Sequence, residues 1–167
     1  MTFFEWLGLA SARAPLQVGD AAPDAAARDE QGHRVRLADF YHDGLTLVYF
    51  YPKAGTPGCT AQACSIRDGF EELKRRGIRV FGVSTDSVKA QRRFKNRFRL
   101  PFTLLADTDS AVARAFGVPL FFGMTRRQSF LIRDGRIVWR DLHASTGEQA
   151  RDVLRVIETL KNNAPSS

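Results

Sequence analysis

Three short apolar runs, at residues 45–51, 79–84 and 102–106, are separated by stretches whose apolar residues recur at helical spacing. Ala63, Ile66, Phe70 and Leu73 follow the first run in this way, and Val88, Phe94 and Phe98 follow the second. Strands that alternate with helices bury their faces against them, which predicts an α/β fold with the helices flanking a sheet. Two further runs, 129–132 and 137–142, flank Asp134-Gly135, a dipeptide suited to a tight hairpin turn. A weaker pair, 25–28 and 34–37, also reads as a small hairpin. The hairpins add antiparallel pairing, so the expected sheet is mixed. A closing helix over 147–162 buries Val153, Ile157 and Leu160.

At 167 residues the chain is one domain with a core of its own, and it shows no internal repeat or linker. No apolar run approaches the roughly 20 residues of a membrane span. The core domain is expected over 16–163, with an N-terminal extension at 1–15 and a flexible tail at 164–167. Phe3, Phe4, Trp6 and Leu7 suggest a short helix packing on the domain or on a partner. The same segment makes a poor secretory signal, because it has no positive start and Glu5 interrupts the apolar stretch. Cytoplasmic location is the reading. Net charge is +7, and the helix expected over Val88–Phe98 carries Lys89, Arg92, Arg93, Lys95 and Arg97, with Arg99 just beyond. A solvated basic face accounts for this, and no nucleic-acid partner is expected.

The chemistry concentrates between Tyr49 and Asp68. Pro52 offers no N–H to a sheet ladder and ends the first apolar run. Thr56 can cap a helix whose first residue is Pro57, which places Cys59 in the first turn. There the helix dipole and free backbone N–H groups stabilise a thiolate. The chain has 2 cysteines, too few for a disulfide scaffold, so a redox pair is the better reading. Cys64 lies five positions on, which in a helix means about 7.5 Å of rise and roughly 8–9 Å between Cα atoms. A disulfide needs about 4.4–6.8 Å. Either the two thiols never bond, or the helix opens so that they can.

Pro52-x-x-x-Thr56-x-x-Cys59 resembles the active-site motif of the peroxiredoxins, and with Cys64 the string is similar to the bacterioferritin comigratory protein (PrxQ) subfamily. The strings GVSTDS at 82–87, FTLLADTDS at 102–110 and RQSFLI at 127–132 extend the likeness over about 16–161. The resemblance implies a thioredoxin-like fold and a thiol-dependent peroxidase acting on hydrogen peroxide and organic hydroperoxides. It also implies roles for five residues. Cys59 attacks the peroxide, and Cys64 resolves the product as an intramolecular disulfide. Arg127 favours the thiolate, with neighbouring Arg126 as the fallback. The Thr56 hydroxyl accepts from the thiol side or donates to the peroxide, and Pro52 shields the sulfur. Thioredoxin or a glutaredoxin-like donor then reduces the disulfide by exchange. A monomer is the expected state, with a dimer through the N-terminal aromatics as the variant.

This chemistry needs thiols alone, and no haem, flavin or metal motif is visible. His33, His42 and His143 show no ligand spacing and read as surface residues. A thioredoxin-type thiol–disulfide oxidoreductase is the first competing reading, but it would normally carry Cys-x-x-Cys. A basic nucleic-acid-binding or chaperone-like protein is the second, and it would rest on charge alone.

Overall fold

The computed structural model describes residues 16–163 together with Ala14. The expected helix within 1–15 and the expected tail at 164–167 lie outside the described residues. The chain opens with a hairpin, β1 (Ala26–Asp29) and β2 (Arg34–Arg36), followed by a 3₁₀ turn at Leu37–Phe40. Next come β3 (Leu45–Phe50), α1 (Pro57–Asp68), α2 (Phe70–Arg75), β4 (Ile78–Ser84), α3 (Val88–Phe98), β5 (Thr103–Ala106) and α4 (Ala111–Ala115). A two-residue hairpin, β6 (Leu120–Phe121) with β7 (Met124–Thr125), precedes β8 (Gln128–Arg133), β9 (Arg136–Asp141) and α5 (Gln149–Asn162).

Seven strands form one sheet in the order β2-β1-β5-β4-β3-β8-β9. β3, β4 and β5 run parallel to one another, and the outer pairings are antiparallel. This is the mixed, helix-flanked sheet of a thioredoxin-like fold. β4 is the middle strand, and β3 beside it pairs with β4 along one edge and β8 along the other, so the chain leaving β3 emerges from the interior of the sheet. The β8–β9 turn has Asp134 and Gly135 both at positive φ, 50° and 75°, as a twisted two-residue turn requires.

Side chains alternate across β3 and divide the core into two layers. Leu47 and Tyr49, with Tyr51 just beyond the strand, pack among residues of α1, α2, α3 and α5. Val48 and Phe50 pack with Leu37 of the 3₁₀ turn and with Val112 and Ala113 of α4.

Several local expectations need correction. The stripe of Ala63, Ile66, Phe70 and Leu73 does not lie on one unbroken helix, because the helix is interrupted at Gly69. A Cβ there would stand 2.7 Å from the Ala150 side chain, so α5 approaches too closely for any other residue. In α3, Val88 and Phe98 are only half-buried, and Gln91 is the fully buried partner of Phe94. In α5, Leu160 is half-buried. Residues 120–125, which carry no strand signal in the sequence analysis, fold into the β6–β7 hairpin and expose Phe121 and Phe122, at 65% and 87%. The 3₁₀ turn has no clear sequence signal. The basic face of α3 has an acidic partner from another element: Glu30, just past β1, pairs with Lys95 at 2.7 Å and accepts from Arg92 through its carbonyl.

Candidate active site

The parallel strands β3 and β4 guide the chain into the site. The Tyr51 N–H still bonds the Val83 carbonyl at 3.1 Å, and at Pro52 this pairing has to stop. Thr56 is the N-cap of α1 with extended φ and ψ of −75° and 155°, and Pro57 follows in the first turn. The Thr56 hydroxyl does not cap an amide, however. It donates to the Lys53 carbonyl at 2.7 Å, closing the loop on itself. The loop is also held from outside: the Ala54 N–H donates to Asp86 Oδ2 at 2.8 Å, and the Ser84 hydroxyl donates to the same oxygen at 2.7 Å.

Cys59 sits in the first turn of α1 and is 1% exposed. Of the two adjacent arginines, Arg127 reaches it, with Nη2 3.4 Å from Sγ. Arg126 is exposed, and its backbone N–H is spent on the Pro119 carbonyl. The Arg127 guanidinium is held by a second contact, Nη1 to Gln62 Oε1 at 2.6 Å. Gly58 makes room for it, since a Cβ there would lie 3.1 Å from Nη2. Cys64 is half-buried further along the same unbroken helix, and both cysteines are free.

A groove of about 530 Å³ opens over this region, lined by Pro52, Phe121, Met124, Leu142 and both arginines. Its lining is mostly apolar, and Arg127 connects it to Cys59. Beneath α1 the Tyr49 hydroxyl is buried, with no hydrogen-bond partner among the described residues. Burial, and then the neighbouring Tyr51 and Cys59, push its ionisation well above the ordinary phenol range, so it stays neutral.

Sequence reasoning missed Gln62, Gly58 and Asp86. Gln62 left a usable signal, because it lies three positions from Cys59 on the stripe that includes Ala63 and Ile66. A glutamine on a buried stripe requires a partner. Gly58 and Asp86 left none, because their roles depend on contacts made far along the chain.

A thiol in the first turn of a helix, under a guanidinium and beside an apolar groove, belongs to the thiol-based redox enzymes of this fold. The chain belongs to the AhpC/TSA family, whose model matches residues 18–140, and within it to the Bcp/PrxQ branch of the peroxiredoxins. It is 48% identical over 131 residues to peroxiredoxin Bcp of Escherichia coli K12, covering 74% of this chain and 83% of that protein. It is 41% identical over 122 residues to the chloroplastic peroxiredoxin Q of Oryza sativa subsp. japonica, covering 72% of this chain and 56% of that one. Among solved structures, peroxidoxin BcpB from Mycobacterium tuberculosis superposes with a TM-score of 0.81 at 31% identity, covering 87% of this chain and 98% of that one. The Xanthomonas campestris bacterioferritin comigratory protein, described for its alkyl peroxide reduction activity, superposes with a TM-score of 0.78 at 28% identity, over 89% and 99%. Peroxiredoxin-type peroxidase activity follows from this kinship. Among the described residues no helix is long and apolar enough to cross a membrane.

Proposed function

We propose that the protein reduces hydrogen peroxide and organic hydroperoxides through Cys59, forms an intramolecular disulfide with Cys64, and is recycled by thioredoxin or a similar dithiol donor. The contact between Arg127 and Cys59 Sγ carries this reading, because it puts a permanent cation beside a thiol at a helix start. The Cys59 thiolate attacks the terminal peroxide oxygen, an S–O bond forms and the O–O bond breaks. The alkoxide or hydroxide leaves and takes a proton from solvent, and sulfur is oxidised to a sulfenic acid as the peroxide is reduced. Arg127 and the free N–H groups of the first turn offset the charge that develops on the departing oxygen.

Thr56 has a narrower role than its residue type allows. Its only hydroxyl proton is used on Lys53, so its lone pairs remain to accept from the peroxide O–H. Pro52 lines the groove together with Arg127, in the shielding role assigned to it, and the apolar lining suits a hydroperoxide with a hydrocarbon body. The Xanthomonas relative's alkyl peroxide activity supports the same substrate class.

The Cys59 sulfenic acid then condenses with the Cys64 thiol, forming the S–S bond and releasing water. In α1 the two residues are held roughly 8–9 Å apart at Cα, beyond disulfide reach, so this step needs local unwinding. Local opening costs less than global unfolding. A reductant-coupled assay with hydrogen peroxide and an organic hydroperoxide tests the whole cycle. Cys59→Ser should lose nearly all turnover while staying folded, and substantial residual activity would sink the assignment. Cys64→Ser should react once and stall as a sulfenic acid that a dimedone-type probe traps, and normal cycling with thioredoxin would remove Cys64 from the mechanism.

A further inference from the structure

Three fully buried polar side chains connect the closing helix to the Cys59 site. Gln62 on α1, Ser129 on β8 and Gln149 at the start of α5 are each 0% exposed. Gln62 Oε1 accepts from Arg127 Nη1 at 2.6 Å, and Gln62 Nε2 donates to Gln149 Oε1 at 3.0 Å. The Ser129 hydroxyl donates to that same Gln149 oxygen at 2.6 Å.

The guanidinium fixes the direction of this chain. It can only donate, so Gln62 must turn its oxygen toward Arg127 and its amide nitrogen toward α5. Gln149 must therefore present an oxygen. Its own nitrogen is buried, with no hydrogen-bond partner among the described residues, so the bonds that hold the group all run to the oxygen. Beyond Arg127 the chain ends at Cys59 Sγ.

Gln62 also lies between the two cysteines. Bringing Cys59 and Cys64 within disulfide reach unwinds the turn that carries it, and this pulls it away from both Arg127 and Gln149. The hydrogen bonds that aim the guanidinium are thus the same ones that oppose opening. We propose that Gln149 is a positioning residue: acting through Gln62, it orients Arg127 toward Cys59 and latches α1 in its folded form, thereby setting how readily the two cysteines meet. The proposal rests on the two-cysteine cycle above.

The test is Gln149→Met in the full-length protein, nearly the same volume without the acceptor. Of the two hydrogen bonds this removes, the one to Gln62 holds α1, and its loss should make the amides of 60–64 exchange about fivefold faster. Once Cys59 is oxidised, disulfide formation should speed up by a similar factor, and less sulfinic acid should accumulate at a fixed excess of peroxide. The first reaction with peroxide should slow, and an unchanged rate would overturn the orienting role of Gln149. Val112→Ala, on the opposite face of the sheet, should lower the melting temperature without changing exchange at 60–64 or the disulfide rate, which separates the latch from general destabilisation. If the single variant folds poorly, Gln149→Met with Ser129→Ala removes the stranded hydroxyl and gives the same readouts. Unchanged exchange and an unchanged disulfide rate in a folded variant would overturn the latch and leave the peroxidase reading intact. A wild-type protein that consumes peroxide without forming the Cys59–Cys64 disulfide would overturn the underlying cycle and the kinetic half of the latch together, and amide exchange judges the structural half on its own.

Discussion

The two faces of the sheet are built from the same strands and differ in kind. On the face toward α4 the core is hydrocarbon: Val48, Phe50, Phe81, Val83, Leu105, Phe130 and Ile132 interlock with Phe116. Phe50 and Phe130 each lie within 5.4 Å of Phe116, ring centre to ring centre. Fully buried polar groups on this side stay at the margins and bond to backbone, as Thr46 does to the Phe40 carbonyl and Asp107 to the Val112 and Ala113 amides. On the face toward α1 and α5 polar groups run through the core. Gln62, Gln91, Gln149, Ser129 and two tyrosine hydroxyls are buried among the apolar residues. Tyr51 donates to Gln91, which in turn donates to Ser84 and the Leu105 carbonyl. Hydrocarbon contact is non-directional and supplies stability, whereas hydrogen bonds in a dry core fix where side chains point. The face that carries the chemistry is the one that uses them.

The sharpest way to break this comparison is to cut into each face. Phe130→Ala, on the hydrocarbon side, should cost about 3–5 kcal/mol of unfolding free energy. Urea denaturation would show it, and the folded fraction should still react with peroxide through Cys59. Arg127→Lys, on the polar side, should do the reverse. It keeps the charge but loses the fork that holds Sγ and Gln62 together, so kcat/KM for peroxide should fall on the order of 100-fold. Arg127→Ala removes the charge as well as the fork, so kcat/KM should fall further still. A Lys variant with wild-type kcat/KM would show that charge alone suffices and would move the weight of the site away from geometry. The smallest effect expected is Tyr49→Phe. Its hydroxyl has no partner to lose among the described residues, so the melting temperature should hold or rise, within about 1 kcal/mol. A clear loss of stability would mean that this hydroxyl has a bond that its buried position conceals.

The hydrocarbon face was the more legible one in the sequence. The apolar runs at 45–51 and 129–132 mark both strands to within a residue or two, because a strand buried on both faces is apolar along its length whatever its partner. Asp134-Gly135 announces its turn for the same reason, the signal being local. Thr56-Pro57 marks the start of α1 from local chemistry, although the actual bond of the Thr56 hydroxyl, to Lys53, is one a cap residue would not suggest. The polar face was hard to read, since its bonds join residues far apart: Gln62 meets Gln149 across 87 positions, and Arg127 meets Cys59 across 68. Gly69 shows the same limit. A glycine within a helical pattern is tolerated, and that position 69 requires one is visible only once Ala150 arrives beside it.

That interruption bears on how far a structural disturbance can travel. Melting of a helix is a cooperative process that propagates along an uninterrupted run and stalls where the run ends. α1 ends at Asp68 and α2 starts afresh at Phe70, seated on the buried Leu73. Unwinding that begins at Cys59 therefore has at most the 12 residues of α1 to consume before it meets a boundary. On the cycle proposed above, Gly69 would act as a firebreak: the reaction centre could open while the adjoining helix keeps its footing on the sheet.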